Sequence, residues 1–222
     1  MILEVEHAAF QYDEGNFILE DVNFSYETPQ TLCILGSNGT GKSTLLKCIL
    51  GENILTKGSV RIDGKETGLY SYREMARRAA YLAQTHIPSF PFPVIDVVMM
   101  GRTSRIGYFA SPGKKDRQIA AEKLDYLNIR HLADKPYTEL SGGERQMVMI
   151  ASALAQEPEL IIFDEPTSHL DFGNQFRFLQ LVKQLKNLGI GVLMTTHFPD
   201  HALYLDCSTV ILHEGKILGS GS

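Results

Sequence analysis

The chain, 222 residues long, reads as an α/β fold on a mostly parallel sheet. Three observations predict it. "ELIIFDE" (159–165) and "GIGVLMTTH" (189–197) are unbroken apolar runs of strand length, the pattern of strands buried on both faces. Between them, "NQFRFLQLVKQLKNLG" (174–189) has helical spacing and ends at Gly189. Near the N-terminus, "TLCILG" (31–36) runs into a glycine-rich loop and then the helix-like "TLLKCILG" (44–51). Strand, helix and strand in succession imply parallel pairing.

The remaining elements follow in chain order. Residues 1–35 alternate as strands do, in "ILEVE", "VNFSY" and "TLCILG". "VRIDGKE" places Asp63-Gly64 between short apolar runs and predicts a hairpin. Ser71 and Glu74 form a capping box that opens the helix "YREMARR". "AAYLAQ" predicts a short strand, and "THIPSFPFP" has too much proline for a helix or a central strand. Residues 95–133 read as mostly helical, with a loop near "SPGKKD", so the block from about 85 to 140 looks like a helical insertion in the sheet. A second capping box, Ser141 with Glu144, opens the apolar helix "MVMIASALA".

Composition narrows the class. The chain is 44% hydrophobic and 21% charged, ordinary for a globular protein, and long enough to bury a core. A formal net charge of -5 gives no basic bias toward nucleic acid. No run approaches the ~18 apolar residues of a membrane span. The acidic start "MILEVEHAAF" is not a signal peptide. Cys33, Cys48 and Cys207 are few, scattered and odd in number, which fits a reducing cytosol rather than a disulfide framework. The ending "GSGS", with no closing helix, reads as a truncated end.

"GSNGTGKS", Gly36 to Ser43, carries the first chemistry. It fits the G-x-x-x-x-G-K-[ST] phosphate loop between a strand and a helix, the context that separates it from a glycine-rich turn. Gly36, Ser37, Asn38, Gly39, Thr40 and Gly41 would turn backbone N–H groups toward phosphate oxygens, helped by the following helix N-terminus. Lys42 would reach the β- and γ-phosphates of a nucleotide, and Ser43 would ligate Mg²⁺; the motif alone suits a kinase or a GTPase as well. Downstream, "LIIFDE" delivers two carboxylates at the C-terminal end of a strand, where open α/β sheets bind ligands. Neighbours on a strand face opposite ways, so two roles are natural. Asp164 would hold Mg²⁺, and Glu165 would act as general base on the attacking water.

"GSNGTGKS", "LSGGERQ" and "LIIFDEPTSHLD", in this order and over nearly the whole chain, resemble the ATP-binding cassette of ABC transporters. "LSGG" is the most specific of the three, since other phosphate-loop classes do not share it. The resemblance implies a P-loop NTPase core, an N-terminal antiparallel β subdomain and a helical subdomain at approximately 85–140 within one domain spanning 1–222. It also implies an ATPase that powers transport. Tyr12, about two dozen residues before the loop, sits where an aromatic stacks on adenine, and Thr44 adjoins the loop. Gln84 matches the Q-loop, which senses Mg²⁺ and meets the transmembrane partner. Ser168-His169-Leu170-Asp171 fits the D-loop, and His197 sits at the switch histidine that contacts the γ-phosphate. Glu144 departs from the commonest form, which has glutamine after "LSGG".

Read singly, each position is bland: an edge-strand aromatic, a surface amide, a structural histidine, a well-capped helix. Together they imply that Ser141, Gly142 and Gly143 face the γ-phosphate bound by a second copy, in a head-to-tail pair that ATP closes. Chromosome and repair relatives insert a long coiled coil between Q-loop and signature, whereas here Gln84 and Ser141 lie only some fifty-odd positions apart. Translation-associated relatives carry two cassettes, and this chain has one. Transport remains, with the permease on separate chains, a peripheral place on the cytoplasmic membrane face and only indirect contact with a substrate-binding protein. "THIPSFPFPVIDVVMMGRTSRIGYF" is unusually apolar and reads as the groove for the permease's coupling helix, or else as subdomain core. "VVMMGR", "GYFASPGKKDR" and "LDYLNIRHLADKPYTELSGGERQ" are similar to the importer branch for iron-siderophores, haem and cobalamin, with molybdate and tungstate relatives. An exporter cassette and a soluble non-transport ATPase are the alternatives.

Overall fold

The computed structural model describes residues 1–12, 15–84, 90–107, 110–168 and 170–221. The first half runs β1 (Ile2–Phe10), β2 (Leu19–Glu27), β3 (Thr31–Leu35), α1 (Lys42–Ile49), β4 (Lys57–Ile62), β5 (Lys65–Glu66), α2 (Tyr72–Arg78) and β6 (Ala79–Leu82). Three helices follow, α3 (Val94–Met100), α4 (Lys114–Tyr126) and α5 (Gly142–Ala155). The chain then continues through β7 (Leu160–Phe163), α6 (Phe172–Asn187), β8 (Gly191–Thr196), α7 (Pro199–Leu205), β9 (Ser208–His213) and β10 (Lys216–Gly221).

The strands form two sheets. The N-terminal one is antiparallel, in the order β2-β1-β4-β5. The larger one has the order β10-β9-β3-β8-β7-β6, with parallel pairing from β6 through β9 and β10 antiparallel at the edge. Its central strands alternate between two cores, as a period of two requires. Leu160, Ile162, Leu193, Leu32 and Ile34 join α1 and the antiparallel sheet in one core. Ile161, Phe163, Val192 and Met194 join α3 to α7 in the other. Each such side chain, fully buried, contributes about 1.5–3 kcal/mol. These two layers of contact fix β3, β7 and β8, whose C-terminal ends carry the loops of the site.

Local chemistry sets the helix ends. Ser71 accepts from the Glu74 N–H at 3.2 Å and its own N–H donates to the Glu74 carboxylate at 2.8 Å, so α2 opens on the expected box. Asp171 caps α6 by accepting from the Asn174 N–H at 2.9 Å. That helix stops before Gly189, whose φ of 74° is left-handed.

The predicted helical block divides more finely than its sequence suggests. Single 3₁₀ turns at Gly101–Arg105 and Arg130–Leu132 flank α4. Within "FPFPVIDVVMM" the roles split. Val94, Ile95, Val97 and Val98 are core, while Phe90, Phe92 and Met100 are exposed. Residues 85–89 and 108–109 of the apolar stretch, and His169 of the D-loop pattern, lie outside the described residues. The sequence pattern marks no element after His197, yet α7, β9 and β10 form there; β9 is the second parallel neighbour of β3. The three cysteines are free thiols.

Candidate functional site

β3 ends at Leu35, and the Gly36 N–H donates to the Thr196 carbonyl at 3.2 Å, so the loop 36–43 leaves the sheet between β3 and β8. Gly39 and Gly41 take φ of 82° and 98°. A side chain at Gly41 would also place its Cβ 2.9 Å from the Ile18 carbonyl. Glycine at these two turns is what lets the loop curl onto the start of α1. Thr40 Oγ1 donates to the Ser37 carbonyl at 2.9 Å and closes the curl.

Lys42 is buried under this loop. Its Nζ donates to the Gly36 and Ser37 carbonyls at 2.7 and 2.8 Å and stands 2.8 Å from Glu165 Oε1. The other Glu165 oxygen accepts from Gln84 Nε2 at 3.4 Å and lies 3.6 Å from His197 Nδ1. Residues from three separate stretches thus converge on one buried carboxylate. His197 itself lies against the Phe198 ring, centroids 4.0 Å apart.

Asp164 and Glu165 are parted by a turn rather than by strand alternation. β7 stops at Phe163, and Glu165 has a left-handed φ of 46°. Asp164 stays buried, accepting from Thr195 Oγ1 at 2.7 Å and from the Tyr81 hydroxyl at 3.2 Å. Thr195 Oγ1 also accepts the Glu165 N–H at 2.9 Å, so one hydroxyl holds both acidic residues. Tyr81 is kept protonated: burial, then the Asp164 charge, raise its pKa. Thr195 and Tyr81 escaped the sequence reading. The only signal was two hydroxyls, "TT", in an otherwise apolar strand. His201, also missed, is buried with Nδ1 3.0 Å from Thr196 Oγ1.

A cleft of about 440 Å³ opens over the loop. Its walls include Tyr12, Asn38, Gly39, Gly41, Lys42, Ser43, Thr44, Gln84 and Glu165. Tyr12 is exposed, set edge-on against buried Phe10 with ring centroids 4.8 Å apart. A hydrogen bond with the Thr44 side chain lowers its phenol pKa and ties the ring to α1. The cleft suits a nucleotide: an exposed aromatic ring, a glycine-bearing loop at a helix start and a buried cation. It also offers oxygen donors of the hard type Mg²⁺ takes, in the Ser43 hydroxyl and the Gln84 amide oxygen, whereas the Asp164 carboxylate is buried, held by Thr195 and Tyr81, and is not among the cleft walls. Among the described residues no group of three His, Cys, Asp or Glu could hold a metal, so a cation here would depend on ligand oxygens and water as well.

Ser141, Gly142 and Gly143 are not among the walls of that cleft. Ser141 caps α5, accepting from the Glu144 N–H at 3.3 Å. A Cβ on Gly143 would come within 3.3 Å of Asn174 Nδ2, and Asn174 Nδ2 donates to Asp171 Oδ2 at 2.7 Å, so Asn174 links Asp171 to the start of α5. Gln146 Nε2 donates to the Pro166 carbonyl at 2.6 Å, linking α5 to the turn beyond Glu165. Gly142 and Gln84 do share a second cavity, of about 330 Å³, bounded by Met149, Phe163 and Leu170. No helix among the described residues is long and apolar enough to cross a membrane.

Comparison with known proteins places this geometry in context. The family described as ABC transporter matches residues 19–168. An ABC transporter ATP-binding protein of Haemophilus influenzae is 44% identical over 96% of this chain and 81% of its own length. The molybdate import ATP-binding protein MolC of the same organism is 38% identical over 96% of this chain and 79% of its own. Among solved structures, an inward-facing ABC transporter assigned to the metal-chelate type superposes with a TM-score of 0.86, 35% identical, covering 99% of this chain and 82% of that one. A bacterial ABC transporter cassette solved as a dimer gives a TM-score of 0.84 at 27% identity, covering 99% and 98%.

Proposed function

This chain belongs to the ABC transporter family, whose cassettes bind and hydrolyse ATP, and we propose that it is the ATPase subunit of a bacterial importer for metal chelates or oxyanions. The observation that carries the reading is the convergence of Lys42, Gln84 and His197 on Glu165 beside the phosphate loop. Similarity to a molybdate import protein and to a metal-chelate type transporter supports the cargo class and the direction.

Each site residue then has a task. Tyr12 stacks on the adenine and Thr44 fixes its ring. Gly36, Ser37, Asn38, Gly39, Thr40 and Gly41 present the loop's N–H groups to the phosphates, and Lys42 neutralises the β- and γ-phosphates. Ser43, Gln84 and Asp164 would hold Mg²⁺, which would supply charge neutralisation on the phosphates when bound. Glu165 takes a proton from the water that attacks the γ-phosphorus, the γ-phosphate leaves ADP, and His197 contacts the transferring phosphate. Thr195 keeps Asp164 and Glu165 apart and in register. A general base of this kind contributes about 10²–10⁴ in rate.

The γ-phosphate is closed from outside. Ser141, Gly142 and Gly143 cap an exposed helix start away from this chain's own cleft, which supports a head-to-tail pair in which each signature meets the partner's nucleotide, with Asp171 beside the joint. ATP then acts as a ligand with higher affinity for the closed pair, and its hydrolysis releases it. The helical block near 85–140 acts as a subdomain whose α3 and α4 pack against the signature helix α5. Exposed Phe90, Phe92 and Met100 form the apolar contact for the permease on the cytoplasmic membrane face. Reconstitution with the membrane subunits in vesicles tests the whole reading. ATP-driven uptake of a metal chelate or molybdate is expected, and Phe90→Ser with Phe92→Ser should abolish uptake while the isolated subunit keeps its ATPase. Steady phosphate release with efflux, or with no movement of cargo, would contradict it.

A further inference from the structure

The signature serine is not free to donate. Ser141 Oγ gives its single proton to Glu144 Oε2 at 2.7 Å, and the same oxygen accepts the Ser141 N–H at 2.8 Å. Glu144 returns its own N–H to Ser141 Oγ at 3.3 Å. Three hydrogen bonds thus close a small ring between the two residues at the first turn of α5. The helix N-terminus favours a charged carboxylate at this position. Those hydrogen bonds, from the Ser141 N–H first and then its hydroxyl, lower the Glu144 pKa, and Lys135 and His131 add favourable charge. At neutral pH Glu144 is therefore an anion, one hydrogen bond away from the hydroxyl assigned to a partner's γ-phosphate.

That arrangement has two consequences. To donate to a phosphate oxygen, Ser141 must release the carboxylate, so the helix cap and the phosphate compete for one proton. The carboxylate also repels the polyphosphate it is brought beside, and does so at both sites of a symmetric pair. A glutamine here would keep an oxygen to accept the Ser141 N–H while carrying no charge.

We propose that Glu144 is a positioning residue that holds the Ser141 hydroxyl in the helix cap and, through its negative charge, weakens the ATP-closed dimer relative to a neutral amide at the same place. The inference rests on the split-site reading above. It gives this chain a dimer that opens readily after hydrolysis, because the same charge that opposes closing hastens separation.

The test uses the Glu165→Gln variant, in which ATP persists, with and without Glu144→Gln. Sedimentation with ATP and Mg²⁺ at low and high salt gives the dimer affinity. The Glu144→Gln variant should dimerise about tenfold more tightly at low salt, and the gain should shrink as salt screens the repulsion. Its thermal midpoint without nucleotide should move little, since the cap survives; a purely structural role for Glu144 would leave dimer affinity and its salt dependence alike in both proteins. Equal or weaker dimerisation by a folded Glu144→Gln protein overturns the inference by itself. A Glu165→Gln parent that stays monomeric with ATP overturns the split-site reading, and this inference with it.

Discussion

Lys42 Nζ and Glu165 Oε1 stand 2.8 Å apart, both side chains buried, and join the phosphate loop to the acidic turn after β7. Two further donations, to Gly36 and Ser37, leave the lysine pointing along the loop. The pair is therefore structural before it is catalytic, and breaking it leaves a buried charge without its counter-ion.

Lys42→Ala should cost stability as well as chemistry. Loss of one partner of a buried pair costs about 3–5 kcal/mol, and phosphate release should fall to background. Adding Glu165→Gln should recover much of the lost stability, because the stranded carboxylate is gone, yet restore no turnover. Denaturant unfolding of the single and double variants checks this. A double variant as unstable as Lys42→Ala would show that the ion pair is not what the lysine contributes.

Tyr12→Ala should raise KM for ATP while leaving kcat nearly unchanged. Its ring is exposed at the cleft and is tied to Thr44. Base stacking is worth ~1–3 kcal/mol in single-strand binders, a guide to the expected rise. Phe10→Ala should act otherwise: Phe10 is core, so the loss should appear in thermal stability. If Phe10→Ala raises KM and Tyr12→Ala does not, the adenine lies elsewhere.

His201 should make stability fall with acid. Burial lowers its pKa, and the neighbouring His197 lowers it further, against a smaller opposite effect from Asp200. An unfolded histidine titrates near its ordinary value of about 6.5, so below that pH the unfolded chain binds a proton that the folded chain resists. The contribution is present above pH ~6.5 and is lost as pH falls through the depressed folded pKa. His201→Gln, which can still reach Thr196, should flatten that part of the curve. Chemical denaturation between pH 5 and 8 measures it, and parallel curves for the two proteins would rule the effect out.

Much of the fold was legible because its signals are periodic. Continuous apolar strands, two capping boxes and a glycine-terminated helix need only local spacing. The C-terminal elements were not legible: Ser208–His213 alternates weakly and owes its place to parallel pairing with β3, a long-range fact. The phosphate loop and the acidic pair could be read from residue types. Thr195 and Tyr81 could not, since a hydroxyl inside an apolar strand or at its end announces no partner until the sheet brings Asp164 beside it. The apolar stretch after Gln84 misled in part, because burial of Val94 to Val98 and exposure of Phe90 and Phe92 look alike in sequence.

The split site is tested most directly by the nucleotide dependence of dimerisation in Glu165→Gln, with and without Ser141→Arg. Glu165→Gln keeps the shape of the site and removes the base, so ATP and Mg²⁺ should hold the closed pair. On a sizing column it should run as a monomer alone and as a dimer with ATP. Ser141→Arg, whose bulk cannot enter the partner's phosphate site, should return it to monomer while each protomer still binds ATP through its own Lys42. A double variant that dimerises with ATP as well as Glu165→Gln does would contradict the split site and leave "LSGGERQ" as a helix cap.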